Sequence, residues 1–148
     1  FNPLHCYDIA TKNVFTCKSG DRIYDVMQVM DEKGISHVPV LDSLGHVRGV
    51  FSRETLFDRI LTEKAVSVSD EDTIQDFIQE CSFDGHLNES YLFVRKDYPI
   101  RKAFDSFLKR SSQEKKVVLI LVTEHGKQEE RLLGVITALD LTKTTMEN

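Results

Sequence analysis

The chain has no tryptophan, only three prolines and only seven glycines among its 148 residues. That scarcity excludes collagen-like and low-complexity chains, and 41% hydrophobic against 29% charged residues excludes disorder. No apolar run approaches the length of a membrane span; the longest, Val117 to Val122, is the size of one strand. The first residues carry neither a charged-then-apolar leader nor a Met, so the chain reads as a processed form or an excised fragment, with no membrane partner. Cysteines number three, Cys6, Cys17 and Cys81, without a C-x-x-C, which fits a reducing, cytoplasmic setting. Lys and Arg, 19 together, are outnumbered by 24 Asp and Glu, and the net charge of −5 argues against a nucleic-acid partner.

Motifs for chemistry are also missing. The five histidines, at positions 5, 37, 46, 86 and 125, show no H-x-x-x-H or H-E-x-x-H spacing. His37 stands beside Ser36 in a strand-like run, but no nucleophile elbow surrounds it. No P-loop and no G-x-G-x-x-G occurs. The expectation is a protein that is not an enzyme, with no catalytic residue, no metal and no catalytic cofactor. Asp70-Glu71-Asp72 reads as an acidic first helical turn rather than a cation site.

What is present is a short constellation. Gly134-Val135-Ile136 suits a buried strand, Thr137 follows, and Asp140 stands three residues on, at the expected first turn of a helix. Side chains at i and i+3 share one helix face. The pair can be an N-cap and its partner. It can also be a nucleotide seat, with the carboxylate accepting ribose hydroxyls and the helix start favouring phosphate. A second copy bears on that choice: Gly49-Val50-Phe51-Ser52-Arg53-Glu54-Thr55-Leu56 repeats Gly134 to Leu141 at an offset of 85 residues. Ile23 to Met30 likewise answers to Ile100 to Phe107, and Val38 to Leu41 to Leu119 to Val122.

The chain in order predicts the same sequence of elements twice. A lead-in with a short helical turn near Tyr7 to Thr11 precedes a strand at Val14 to Cys17. Asp21 is the expected N-cap of a helix whose stripe is Ile23, Val26, Met27 and Met30, closed by Gly34. Ile35 to Leu41 is a strand that Pro39 marks as an edge, Asp42 to Gly45 a turn, and Val47 to Phe51 a strand. A helix runs from Ser52 to about Leu61. Thr62 to Ser90 joins the copies and carries a short helix at Ile74 to Ile78, capped from Ser69, Asp70 and Asp72. Tyr91 to Val94 opens the second copy. Pro99 suits a helix N1 position, with Ile100, Ala103, Phe104, Phe107 and Leu108 as the stripe. Val117 to Val122 is a central strand, His125 to Arg131 a polar loop, Leu132 to Ile136 a strand, and Thr137 to about Thr145 the last helix.

This order, with Gly34-Ile35-Ser36-His37-Val38-Pro39-Val40-Leu41-Asp42 followed by Gly45 and Gly49, resembles a tandem pair of CBS domains, the unit called a Bateman module. The resemblance implies an α+β fold of two β-α-β-β-α motifs packed with pseudo-two-fold symmetry, small sheets flanked by helices. Its divisions fall at 1–62 (lead-in and first motif), 63–90 (linker) and 91–148 (second motif). It implies a cleft in which one copy supplies the hydroxyl and Asp and the other supplies walls. Carried over, Thr137, Asp140 and Val135 meet Phe15, Thr16, Cys17, Ile35 and Ser36, with Lys115 and Lys116 within reach of phosphates. Plain core packing remains the alternative for Ile35 and Val135, and solvated strand-edge lysines for Lys115 and Lys116. The other cleft, with Ser52, Thr55, Val94 and Val117, departs from the pattern, because Thr55 stands where Asp is expected.

The resemblance implies a regulatory sensor whose ligand is an adenosine compound: AMP, ADP, ATP or S-adenosylmethionine. It implies a homodimer formed through helix faces and an effector protein not identified by the sequence. The alternative is a ligand-free dimerisation or protein-interaction module of a larger protein.

Overall fold

The computed structural model describes residues 4–63, 67–108 and 115–146. Parts of the expected lead-in, linker and second motif, at 1–3, 64–66, 109–114 and 147–148, lie outside the described residues. In chain order the elements are α1 (Cys6–Ile9), α2 (Ile23–Lys33), β1 (His37–Leu41), β2 (Val47–Ser52), α3 (Arg53–Glu63), a 3-10 turn (Ile74–Phe77), α4 (Ile78–Cys81), β3 (Glu89–Arg95), α5 (Ile100–Leu108), β4 (Lys116–Thr123), β5 (Gly134–Ile136) and α6 (Ala138–Met146). The fold class is α+β, as expected. Two compact units form: one gathers residues 15–87, the other the residues before 15 and after 87.

In the 15–87 unit, Ile23, Val26 and Met30 of α2 are buried at the predicted helical spacing. Gly34 ends the helix in the left-handed conformation, φ 67°, which glycine adopts without a Cβ penalty. The expected cap differs. Arg22 occupies the N-cap position, and Asp21 instead closes the preceding turn by accepting the Lys18 N–H at 2.8 Å. β1 and β2 pair antiparallel as a two-stranded sheet. The expected strand at Val14 to Cys17 reduces to one parallel bridge, Cys17 to Val40. There the Cys17 N–H donates to the Pro39 carbonyl at 3.0 Å, and Leu41 N–H to the Cys17 carbonyl at 2.8 Å. N–H and C=O of one strand residue point the same way, so the donor that Pro39 lacks faces a side where the bridge needs only its carbonyl.

Residues 68–87 belong to this unit's core. Ile74, Phe77 and Cys81 are buried with Val38, Val40 and Phe51. Burying the Ile74 and Phe77 side chains contributes roughly 1.5–3 kcal/mol each. Backbone bonds tie the segment to α2 and its approach: Ile23 N–H to Asp72, Ile74 N–H to Asp21 and Gln75 N–H to Ser19. The short helical segment is capped from Thr73 and Asp76 rather than from Ser69 to Asp72; Asp76 accepts the Thr73 N–H at 2.8 Å. Asp72 closes the turn before it, on the Ser69 N–H.

In the other unit, β4 is central, parallel to β3 and antiparallel to β5. Parallel neighbours need a crossover, which α5 provides. Leu119 to Thr123 are all buried, as befits a strand covered on both faces. The expected α5 stripe is only partly inward: Ala103 is buried and Ile100 and Phe107 half-buried against the core, whereas Phe104 and Leu108 are exposed. Pro99 lies one residue before α5 and accepts the Lys102 and Ala103 N–H groups. The lead-in belongs to this unit. After α1, Thr11 pairs with Val135 through two backbone bonds, 2.9 and 3.0 Å, extending the sheet beyond β5. A Cβ on Gly134 would approach Ala10 Cβ and the Thr11 carbonyl at 3.0 Å, so glycine permits that close passage.

Candidate functional site

The strand-to-helix corner at β5 and α6 brings Thr137 and Asp140 together. The Asp140 Oδ2 accepts the Thr137 N–H at 2.8 Å and lies 3.3 Å from the Thr137 hydroxyl, which donates to it. The Asp140 N–H returns to the Thr137 carbonyl at 3.1 Å. This is the capping arrangement, and it places a carboxylate at the positive end of α6. The same i+3 closure recurs at His5 and Asp8, Lys18 and Asp21, Ser69 and Asp72, and Thr73 and Asp76, each at 2.8 Å. Those four are exposed, while the Thr137–Asp140 pair is partly buried. Capping alone therefore does not mark Asp140; its withdrawal from solvent at a strand–helix corner does. Val135, half-buried in β5, pairs with Leu121 on one side and Thr11 on the other.

The homologous corner at β2 and α3 is built differently. Thr55 Oγ1 accepts the Ser52 N–H at 3.0 Å, so a hydroxyl performs the closure that a carboxylate performs at Asp140. Ser52 and Thr55 are both buried, and the Ser52 hydroxyl has no hydrogen-bond partner among the described residues. The thiol of Cys81, at the end of α4, is buried in the same unit. Burial, reinforced by the neighbouring Glu80 charge, pushes that thiol up to about 12.

The remaining expected residues are placed as follows. Phe15 and Ile35 are half-buried against the core that contains Cys17, and Thr16 is half-buried. Burial, then the nearby Cys81, holds the Cys17 thiol far above its ordinary range, so it serves as core and not as a nucleophile. Ser36 is exposed, its hydroxyl 2.8 Å from His37 Nδ1. Phe15, Cys17 and Ile35 thus come together in the 15–87 unit, while Val135, Thr137 and Asp140 come together in the other. Lys115 and Lys116 are exposed at the start of β4, where the Lys116 N–H donates to the Asn88 carbonyl at 3.1 Å. Val94 is buried and Val117 half-buried in the core of the unit that holds β4, so both are packing residues. Among the described residues, no group of three or more His, Cys, Asp or Glu side chains is placed to hold a metal.

Two features lay outside the sequence reading. The β4–β5 loop is organised by Glu130, whose carboxylate accepts the His125 and Lys127 N–H groups at 2.8 and 3.0 Å and contacts the His125 imidazole at 2.7 Å. A buried polar group, Asp58 and His86, lies between α3 and the end of the 68–87 segment; Asp58 accepts the Leu87 N–H at 3.4 Å, and His86 Nε2 bonds the Cys81 carbonyl at 3.0 Å. The Ile74, Phe77, Ile78 and Cys81 spacing, i, i+3, i+4, i+7, is the sequence signal for that packed segment.

The strand–helix order, present twice with a capped corner after each last strand, defines an α+β tandem-repeat module. Residues 6–62 match the CBS domain family model, and the described fold is that of a tandem CBS-domain pair. The CBS-domain pair of protein MJ0100, solved with 5′-methylthioadenosine and S-adenosyl-L-methionine, is 16% identical, with 99% of this chain and 98% of that chain covered at a TM-score of 0.68. CBSX2 from Arabidopsis thaliana is 15% identical over 99% and 96%, TM-score 0.65. CBSX2 in complex with AMP is 18% identical over 97% and 96%, TM-score 0.63. At these identities the likeness is one of fold. No curated protein matches the chain significantly.

Proposed function

We propose that the chain is a non-catalytic regulatory module that binds an adenosine compound through Thr137 and Asp140, beside the half-buried Val135. The observation that carries this reading is the partly buried carboxylate fixed at the first turn of α6. A carboxylate so held presents acceptor lone pairs to a ribose diol, and the helix start favours phosphate or another anion. That MJ0100 holds adenosyl ligands and CBSX2 holds AMP supports the ligand class. The proposed ligand is AMP, ADP, ATP or S-adenosylmethionine, acting as a regulatory ligand on two copies at 1–62 and 91–148 joined by 63–90. Lys115 and Lys116 are the proposed phosphate contacts, and substitutions at Phe15, Thr16, Cys17, Ile35 and Ser36 test the rest of the expected set. The effector is a separate protein or a further domain, and the compartment a reducing, cytoplasmic one.

Thermal unfolding with each ligand tests the reading. At ~100 times its dissociation constant a ligand adds roughly 2.7 kcal/mol, a rise in Tm of about 5–11 °C for a chain of this size. Curves unmoved by all four compounds at millimolar levels would end the adenosine proposal. A ligand-free dimerisation module is the second reading. The apolar surface of α3, where Phe57, Ile60 and Leu61 are 58%, 42% and 67% exposed, favours it.

A further inference from the structure

Ser52 and Thr55 occupy in the first copy the position that Thr137 and Asp140 occupy in the second. In the first copy that corner is closed by its own unit. The Thr55 oxygen is taken by the Ser52 N–H, and both side chains are buried, Thr55 completely. Behind them, the Cys81 carbonyl sits so near the backbone of β2 that a Cβ on Gly49 would collide with it. Gly85 is similarly wedged against the Gln79 carbonyl. Arg59 of α3 clamps the outside: its guanidinium bonds Glu80 at 2.9 and 3.1 Å, reaches the Asp76 carbonyl, and lies 4.3 Å over the Phe77 ring. Leu87 N–H and Asp58 close the far end. A carboxylate at position 55 would be fully desolvated, since Thr55 is completely buried, which accounts for a neutral Thr there.

We propose that residues 73–87 are a permanent plug on the first copy, so that this copy holds no ligand seat and the chain takes at most one adenosine ligand. The ligand count rests on the adenosine reading above; the plug does not. A permanent plug opens only when its unit unfolds, whereas a flap lifts by itself. Cys17 and Cys81 share one core and report the difference.

The test alkylates the full native chain with N-ethylmaleimide and follows each cysteine by peptide mass, against the urea-unfolded chain as reference. Cys17 and Cys81 are expected to be protected alike, within about threefold, and each by roughly 100-fold or more. Protection of Cys81 about tenfold or more below that of Cys17 would show a flap and overturn the plug. Calorimetry with AMP on the same chain is expected to give one AMP per chain; two would overturn the proposal even with Cys81 protected. No binding of AMP, nor of ADP, ATP or S-adenosylmethionine in the same titration, would overturn the adenosine reading, and the alkylation result then decides the plug on its own.

Discussion

Asp140 holds the backbone N–H of Thr137 at 2.8 Å, and the residue that holds the N–H of Ser52 in the same way is Thr55. One closure is charged and partly buried; the other is neutral and sealed. Asp140→Ala is expected to weaken adenosine binding by about 1.5–3 kcal/mol, roughly 10–150-fold. It also removes a cap, which lowers ligand-free stability by about 0.5–2 kcal/mol. Thr55→Ala should lower stability and leave adenosine affinity unchanged. Calorimetry and ligand-free melting of both variants separate the two effects, and equal affinity losses would show that the corners are assigned wrongly.

Gly49 and Gly20 make a matched pair for the packing of the 73–87 segment. A Cβ on Gly49 meets the Cys81 backbone carbonyl, which no side-chain rotation relieves, while a Cβ on Gly20 meets nothing within 4 Å. Gly49→Ala should therefore cost about 1–3 kcal/mol of overpacking, a fall in Tm of roughly 2–12 °C. Gly20→Ala should raise stability by about 0.4–1 kcal/mol through the unfolded chain. Similar melting curves for the two variants would mean that Cys81 does not press on β2.

Periodicity and punctuation make most of the fold legible in the sequence. The stripe of α2 with Gly34 as its stop, the central position of β4 and the corner at Thr137 are local patterns, and local patterns survive in a single sequence. The cap residues slipped, from Asp21 to Arg22 and from Ser69 to Thr73, because several Asp residues near each start can all close an i+3 turn. Within the 73–87 segment a short helix at Ile74 to Ile78 was legible, but not its packing against β2, since Gly49 and Cys81 meet only through the folded unit. Thr11 beside Val135 was hidden for the same reason: a single bridging residue has no period.

The Glu130 loop should give the protein an acid-sensitive increment of stability. Burial alone would raise the Glu130 carboxyl; the His125 imidazole and the His125 and Lys127 N–H groups outweigh it and hold the group at about 2, against an ordinary 4.5. A folded value below the unfolded one means stability that is fully present above about 4.5 and is lost as the pH falls from there toward 2. Urea titrations of the native chain and Glu130→Gln from pH 7 to pH 3 check this. The native chain should be the more stable at pH 7, and the gap should shrink below about pH 4.5. A gap that is constant with pH would show that the carboxylate charge plays no part.

Self-association is expected through α3. Its first copy-facing surface is used inside the chain, where Thr55 and Asp58 are buried under the 68–87 segment, but Phe57, Ile60 and Leu61 remain 58%, 42% and 67% exposed. On α2 the exposed Tyr24 is engaged within its own unit, where its hydroxyl donates to the Val68 carbonyl at 3.1 Å. Three large apolar side chains on one exposed helix favour burial against a second copy, and a two-fold contact sets α3 against itself. Sedimentation at ~10–100 μM, a range that reveals micromolar dimers, should show twice the 17.0 kDa chain mass. Phe57→Glu with Ile60→Glu should give a soluble monomer with the native melting profile, since neither side chain is core in the single chain. A native chain that sediments only at 17.0 kDa would refute the dimer, and a double variant that unfolds would place that face in the core after all.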